Sequence, residues 1–466
     1  MKFSLIKTGK NLLIPVLVLV GLCLSACQKL IEIPTSPPNR VSTERVYSDS
    51  ANAMGALVGL YANFRVGGTV SSINGGSLSI YTGISADEMQ PTNSETNVDA
   101  LYANDLRPNN SYPDEMWASG YKGIYQANAF LEGVTDNAKL SASFQRQARG
   151  EALLTRALYY FNLVNIFGRV PLVTTSDYRV NAVLPRASID ALYDLIISDL
   201  TTSVSLLTDK YPSAGRLRPN INAARALLSR VYLYRGRWKE ASDMATLIIN
   251  SGLYDLLEPN RVFLDGSREA IWQVLPLSNY NQVAEAAVFI PYSADYVPSY
   301  TISNDLALAF EATDKRKQQW LGANVISGTT YAYPAKYKNT MATDVPFESY
   351  MIFRIGEQYL IRAEALAQQN LLDNAREDLN KIRNRAGLGV TPAILKDDIL
   401  AAVAKERRVE LFAEWGHRWF DLKRTGKADV VLGPKKSGWQ STDALYPVPQ
   451  SQTSTNPFLD QNPGYK

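Results

Sequence analysis

Histidine is almost missing from this 466-residue chain, His417 being the only one. That leaves no histidine metal cluster and no Ser-His-Asp triad to assemble. His417 is read as a hydrogen-bonding residue of a C-terminal turn rather than a ligand. Calcium-loop spacing is absent as well, so no metal and no cofactor is expected. Cysteine is nearly as scarce, with Cys23 and Cys27 alone. An excess of positive charge is also lacking once the N-terminus is set aside. The 48 basic residues exceed the 45 acidic ones by Lys2, Lys7 and Lys10 only. A chain without a basic footprint does not fit nucleic acid, nor an electrostatic hold on a membrane.

Those three lysines precede a short apolar run, Leu12 to Leu24, interrupted by Pro15 and Gly21. The run is shorter than the roughly 20 apolar residues of a permanent span, and the pattern is that of a secretory leader over residues 1–26. Leu24-Ser25-Ala26-Cys27 resembles a bacterial lipobox, in which cleavage precedes the cysteine and the thiol takes a lipid. Cys27 then becomes the lipidated N-terminus, and the acyl chains anchor the protein to a membrane. Because Cys23 leaves with the leader, no intramolecular disulfide is possible. Packing alone must hold the fold, which a mature chain of this length and 46% hydrophobic content can supply.

Residues 27–40, with Pro34, Pro37 and Pro38, form an extended tether, and the folded body spans 41–466. Helical periodicity marks residues 49–65, 114–133, 144–167, 188–207, 220–251, 355–385 and 397–415. Two stretches rich in Gly, Asn, Ser, Pro and Tyr, 67–112 and 255–350, show few helical signals and read as long irregular loops. A repeat is visible in the helical part. Ala224, Leu228 and Tyr232 line one face, Gly236 breaks the helix, and Ala241 and Ala245 open the next; Leu366, Asn370, Ala375 and Leu379 repeat the scheme. Small residues after the turn let antiparallel helices approach, as in a tetratricopeptide hairpin. Helices 144–167 and 188–207 are the candidate third pair.

Ordered motifs run along the body. Trp117, Tyr121, Ile124 and Asn128 come first, then Glu151-Ala152, Arg156 to Phe161, and Phe167-Gly168-Arg169-Val170-Pro171-Leu172. Asp314 and Arg316 follow, then Arg354 to Leu360, Ala363-Glu364-Ala365 and Leu379 to Leu388. Glu406-Arg407, Glu410-Leu411, Gly416, Arg418, Asp421-Leu422, Arg424, Tyr446-Pro447-Val448-Pro449 and Gln461 to Tyr465 close the series. In this order they resemble the SusD/RagB family of nutrient-binding outer-membrane lipoproteins. The resemblance implies an all-α fold, a helical superhelix with tetratricopeptide-like hairpins and long loops. It also implies an N-terminal part about 41–230 and a C-terminal part about 260–466. The implied role is a lipid-anchored, outward-facing lid that hands a ligand to a TonB-dependent, SusC-like barrel. Oligosaccharide is the first expectation for that ligand, oligopeptide the second, and no catalysis is implied.

Glu406, Glu410 and Glu414 repeat at four-residue spacing, which would suit the paired carboxylates of a surface glycosidase. The simpler reading is an ion-pair network of Glu406, Arg407, Glu410, Arg418, Asp421 and Arg424, in which arginines hold the carboxylates at low pKa. A helical scaffold without a small ligand is the remaining rival. Against it stand 26 tyrosines. Trp117, Tyr121, Tyr159, Tyr160, Tyr232 and Tyr359 fall at helical spacing and read as core, as does Trp272. Tyr81, Tyr102, Tyr280, Tyr292, Tyr296 and Tyr300 lie in the irregular stretches, where a ring can stack on a sugar or a peptide side chain. Asp87, Asn104 and Arg107 are expected at the edge of that platform.

Overall fold

Helix starts in this chain are set by side chains that take up the first free backbone N–H groups. Asp49 caps α1 (Ser50–Ala62), Glu95 caps α2 (Thr96–Ala103), Asn110 caps α3 (Ser111–Val134) and Ser141 caps α4 (Ala142–Phe167). Ser188 caps α5 (Ile189–Leu206) and Asn220 caps α6 (Ile221–Tyr234). The computed structural model describes residues 42–64, 72–276, 282–341 and 343–465. The leader, Cys27, the tether and Tyr280 lie outside the described residues.

The periodic stretch 220–251 divides into α6 and α7 (Trp238–Ile249), and 355–385 divides into α8 (Ile355–Gln368) and α9 (Leu372–Arg385). Gly236 and Asn370 make the turns, both in the left-handed region that a tight helical corner requires. Ala241, Ala245 and Ala375 are fully buried where the partner helix approaches. α4 packs on α5, α6 on α7, α8 on α9, and α7 on α8, so the hairpins stack side by side. Arg156 on α4 reaches across the first pair to Asp199 on α5 at 2.7 Å and also to Asn128 on α3 at 2.8 Å. α10 (Lys396–Glu410) and α11 (His417–Arg424) close the stack.

The two stretches expected to be irregular are more ordered than their composition suggests. Ile73–Thr82 is a buried helical segment broken at Gly75 and Gly76, and α2 lies in the same stretch. At Gly76, φ is +97° and a Cβ would come within 2.5 Å of the Ala284 Cβ, so glycine admits this close approach. The other stretch carries short strands. β1 (Met89–Pro91) pairs with β3 (Tyr300–Ile302), β2 (Ala270–Val274) with β6 (Tyr350–Arg354), and β4 (Leu321–Ile326) with β5 (Thr329–Pro334), all antiparallel. Two-stranded pieces this small depend on the helices they lie against. Trp272 on β2 is fully buried, and one core runs from Ala53 to Val448 through both parts of the chain.

The ion-pair network differs in its partners from the sequence reading. Glu406 and Glu410 share one face of α10, as four-residue spacing dictates, with Arg407 turned about 100° away, while Glu414 is brought to the same cluster by the turn that follows the helix. Their cations come from other motifs. Arg316 binds Glu406 at 2.6 Å and Glu410 at 2.8 Å, Arg354 binds Glu410 at 2.5 Å and Glu414 at 2.8 Å, and Arg385 also reaches Glu410. Arg407 and Arg424 hold Asp421 instead, and Arg418 leaves for Asp87. Low pKa is not uniform either. Burial pushes Glu410 up, but Arg385, Arg354 and Arg316 outweigh it and hold the carboxyl well below the usual range. At Glu406 burial prevails and the pKa rises. His417 is buried with an unpartnered Nδ1, not hydrogen-bonded there as expected, and burial drives its pKa down.

Candidate functional site

The short β1–β3 ladder brings together segments two hundred residues apart. Pro91 faces Tyr300, Met89 faces Ile302, and Thr92 N–H donates to Ser299 O at 3.0 Å. Around its upper end three tyrosines gather. Tyr81 is stacked on Tyr112 with centroids 4.2 Å apart, and Tyr112 Oη donates to Glu95 Oε2 at 3.2 Å. Tyr300 meets Phe289 edge-on at 6.3 Å. Burial first, then nearby carboxylates, raises the pKa of Tyr81, Tyr112 and Tyr300, so the hydroxyls keep their protons and serve as hydrogen-bond donors.

Upstream of β3 the chain turns outward and shows two rings to solvent. Tyr292 is 88% exposed and Tyr296 56%, set edge to face with centroids 5.7 Å apart. Their turn is clamped from the β4–β5 hairpin, where Asn324 Nδ2 donates to Ser293 O at 3.0 Å and to Tyr296 O at 2.7 Å. The two rings thus stand in water on a turn that is held in place from the neighbouring hairpin.

The remaining predicted residues do not join one platform, which corrects the sequence reading. Asp87 is buried, and its carboxylate is taken by Arg408, Arg418 and Lys435. Asn104 ends α2 in the left-handed region and donates to Ser85 O at 3.0 Å, so its amide serves the fold. Tyr102 carries the Lys436 ammonium over its ring at 3.9 Å. Arg107 lies instead in an open cleft of about 770 Å³ against Gln450, Gln461 and Tyr465. Tyr81 is in the cluster, but one face is spent on Tyr112.

Sequence reasoning passed over Tyr112 and Glu95. Tyr112 stands beside Pro113 in the first turn of α3, and a proline there is a start signal that places the tyrosine at the helix mouth rather than along its buried face. Glu95 was hidden by its second duty, capping α2 through Asn97 N–H and Val98 N–H. Among the described residues no group of three or more histidine, cysteine, aspartate or glutamate side chains is placed to hold a metal ion. No helix among them is long and apolar enough to cross a membrane.

Two family models match, one described as "Starch-binding associating with outer membrane" over residues 62–233 and one described as "SusD family" over 313–465. SusD-like protein P38 of Formosa agariphila is 25% identical across 98% of this chain and its own whole length. The starch-binding protein SusD of Bacteroides thetaiotaomicron is 30% identical over 142 residues, 28% of this chain and 24% of that one. A solved laminarin-binding SusD-like protein superposes with a TM-score of 0.74 at 24% identity, covering 89% of this chain and 99% of its own.

Proposed function

The chain belongs to the SusD family, and from that premise we propose that it is a glycan-binding surface lipoprotein that passes its ligand to a TonB-dependent, SusC-like barrel, over which it acts as a lid. The observation that carries the binding half is the Tyr292–Tyr296 pair, exposed yet anchored through Asn324. Tyrosine offers a sugar both a flat apolar face and a hydroxyl, and a turn fixed before binding loses little entropy when the ligand arrives. Tyr300 on β3, four residues after Tyr296, and the Tyr112–Glu95 hydrogen bond near that ladder offer further polar groups. Starch binding and laminarin binding by the similar proteins favour a glucan over a peptide.

The protein is read as non-catalytic. Its regularly spaced glutamates, Glu406, Glu410 and Glu414, are buried and bound to arginines or Lys336, out of reach of a substrate. Cys27 supplies the lipid anchor at the outer membrane, outward-facing, and the stacked hairpins supply the surface for the barrel. Calorimetric titration with laminarin oligosaccharides, maltooligosaccharides and a mixed oligopeptide pool tests the reading. Saturable heat with either glucan, lost in Tyr292→Ala, supports it. Heat with the peptides alone transfers the role to oligopeptide uptake, and silence with all three favours a scaffold without a small ligand.

A further inference from the structure

Asp87 lies beneath a shallow basin of about 490 Å³ whose walls carry Lys405, Arg408, Arg418 and Lys435 against a single wall carboxylate, Asp305. The Asp87 oxygens are oversubscribed. Arg418 Nε donates to Oδ1 at 2.6 Å, while Arg418 Nη2 at 3.0 Å, Arg408 Nη2 at 2.7 Å and Lys435 Nζ at 2.8 Å share Oδ2. One carboxylate balances one of these three cations. Lys435 has a second partner in Asp305 at 2.6 Å, and Lys405 meets Glu311 at 3.3 Å, where Arg383 is already bound at 2.8 Å.

The neighbouring Glu88 does not restore the balance. Burial pushes its pKa up to about 8, so it is mostly neutral at pH 7. Arg408 is left with a buried Nε that has no hydrogen-bond partner. Burial, with Arg418 adding to it, lowers the pKa of this guanidinium, whereas Arg418, which embraces Asp87 with two nitrogens, is raised. The basin thus has more cation than its own carboxylates satisfy, and it opens to solvent through Lys435, whose side chain is 33% exposed.

We propose that this basin binds an oxyanion, a sulfate or carboxylate group, either free or as the substituent of an acidic sugar. Lys435 and Arg408 are its contacts, and Leu308, 82% exposed on the rim, packs against whatever carries the charge. It is separate from the exposed tyrosine pair, so it stands or falls independently of the glycan reading.

The full mature chain at low ionic strength is titrated with sodium sulfate, with sodium glucuronate and with glucose as the uncharged control. Sulfate or glucuronate should bind saturably and glucose should not, with affinity lost by roughly tenfold or more in Lys435→Gln. Arg408→Gln tests the second contact, and should it fail to fold, Lys405→Gln with Lys435→Gln replaces it, both side chains being partly solvated. Tyr292→Ala should leave the oxyanion affinity unchanged. Binding of sulfate alone would identify the free anion, and tighter binding of glucuronate would identify a sugar acid; either upholds the site. Absence of saturation with both anions, equal binding of glucose, or affinity undiminished in the double variant would overturn it.

Discussion

Arg354 Nη1 donates to Glu410 Oε1 across 2.5 Å, joining the end of β6 to the end of α10 inside the protein. Glu410 is also held by Arg316 and Arg385, so its single negative charge keeps three buried guanidiniums together. Asp314, Glu406, Glu414 and Glu269 keep their own contacts with these arginines, but removing the Glu410 charge leaves a neutral amide at the one point where all three converge. Glu410→Gln should cost about 3–5 kcal/mol of stability. Urea unfolding checks this, and a midpoint equal to the parent's would show that the cluster tolerates a net positive charge.

The tyrosine pair is expected to act in binding and not in folding. Tyr292→Ala and Tyr296→Ala should each weaken glucan binding by about tenfold, the order expected for a lost aromatic contact of up to roughly 1.5 kcal/mol. Thermal midpoints should stay within a degree or so of the parent, since both rings are exposed. A large fall in stability would mean that the rings support the loop rather than a ligand.

Glu88 and Glu285 are buried carboxyls whose pKa values burial raises from 4.5 to about 8 and about 7. The folded state holds these protons more tightly than the unfolded chain. Their contribution is therefore complete below about pH 4.5 and is lost as the pH rises through 7 and 8. Lys423, lowered by burial from 10.5 to about 7, acts in the opposite sense from about pH 7 upward and overlaps only the top of that range, so the difference between parent and variant is the informative quantity. Glu88→Gln cannot ionise and should gain on the parent steadily from about pH 5 to pH 9. Parallel midpoint curves for the two proteins would refute this.

Ala375 is fully buried where α9 approaches α8. Ala375→Leu should cost about 1–3 kcal/mol through overpacking, and conversion of the neighbouring surface residue Lys381 to leucine should cost far less. Chemical denaturation of both variants measures the gap.

The proposed lipid anchor at Cys27 is tested by removing the thiol. Cys27→Ser should keep its leader, incorporate no labelled palmitate and stay with the inner membrane, while the parent sediments with outer membranes and incorporates the label. Equal sedimentation of both with outer membranes would point to another anchor.

The helices were readable because their periodicity and their caps agree. Ser141, Ser188 and Asn220 stand where the apolar stripes begin, and Gly236 stands where one stripe breaks. Ile73–Thr82 escaped detection because its glycines and its buried Asn74, Ser77, Ser79 and Thr82 read as a loop, and a segment buried on every side sorts no polar residues onto an outer face. The ion pairs were half legible. Four-residue spacing told that Glu406 and Glu410 share a face, but their guanidiniums come from Arg316, Arg354 and Arg385, whose proximity only the tertiary fold creates. Asp87 illustrates the same limit, since a carboxylate in a loop-like stretch gives no local sign of cations more than three hundred residues downstream.

The last twenty residues return to the first half of the molecule. Tyr446 N–H donates to Ile166 O, Arg186 grips Asp460, and Asn462 Nδ2 donates both to Phe167 O and to Tyr446 O. The C-terminal end of α4 is therefore closed by a segment synthesised almost three hundred residues after it, so its sealing must wait for Asn462 to be delivered.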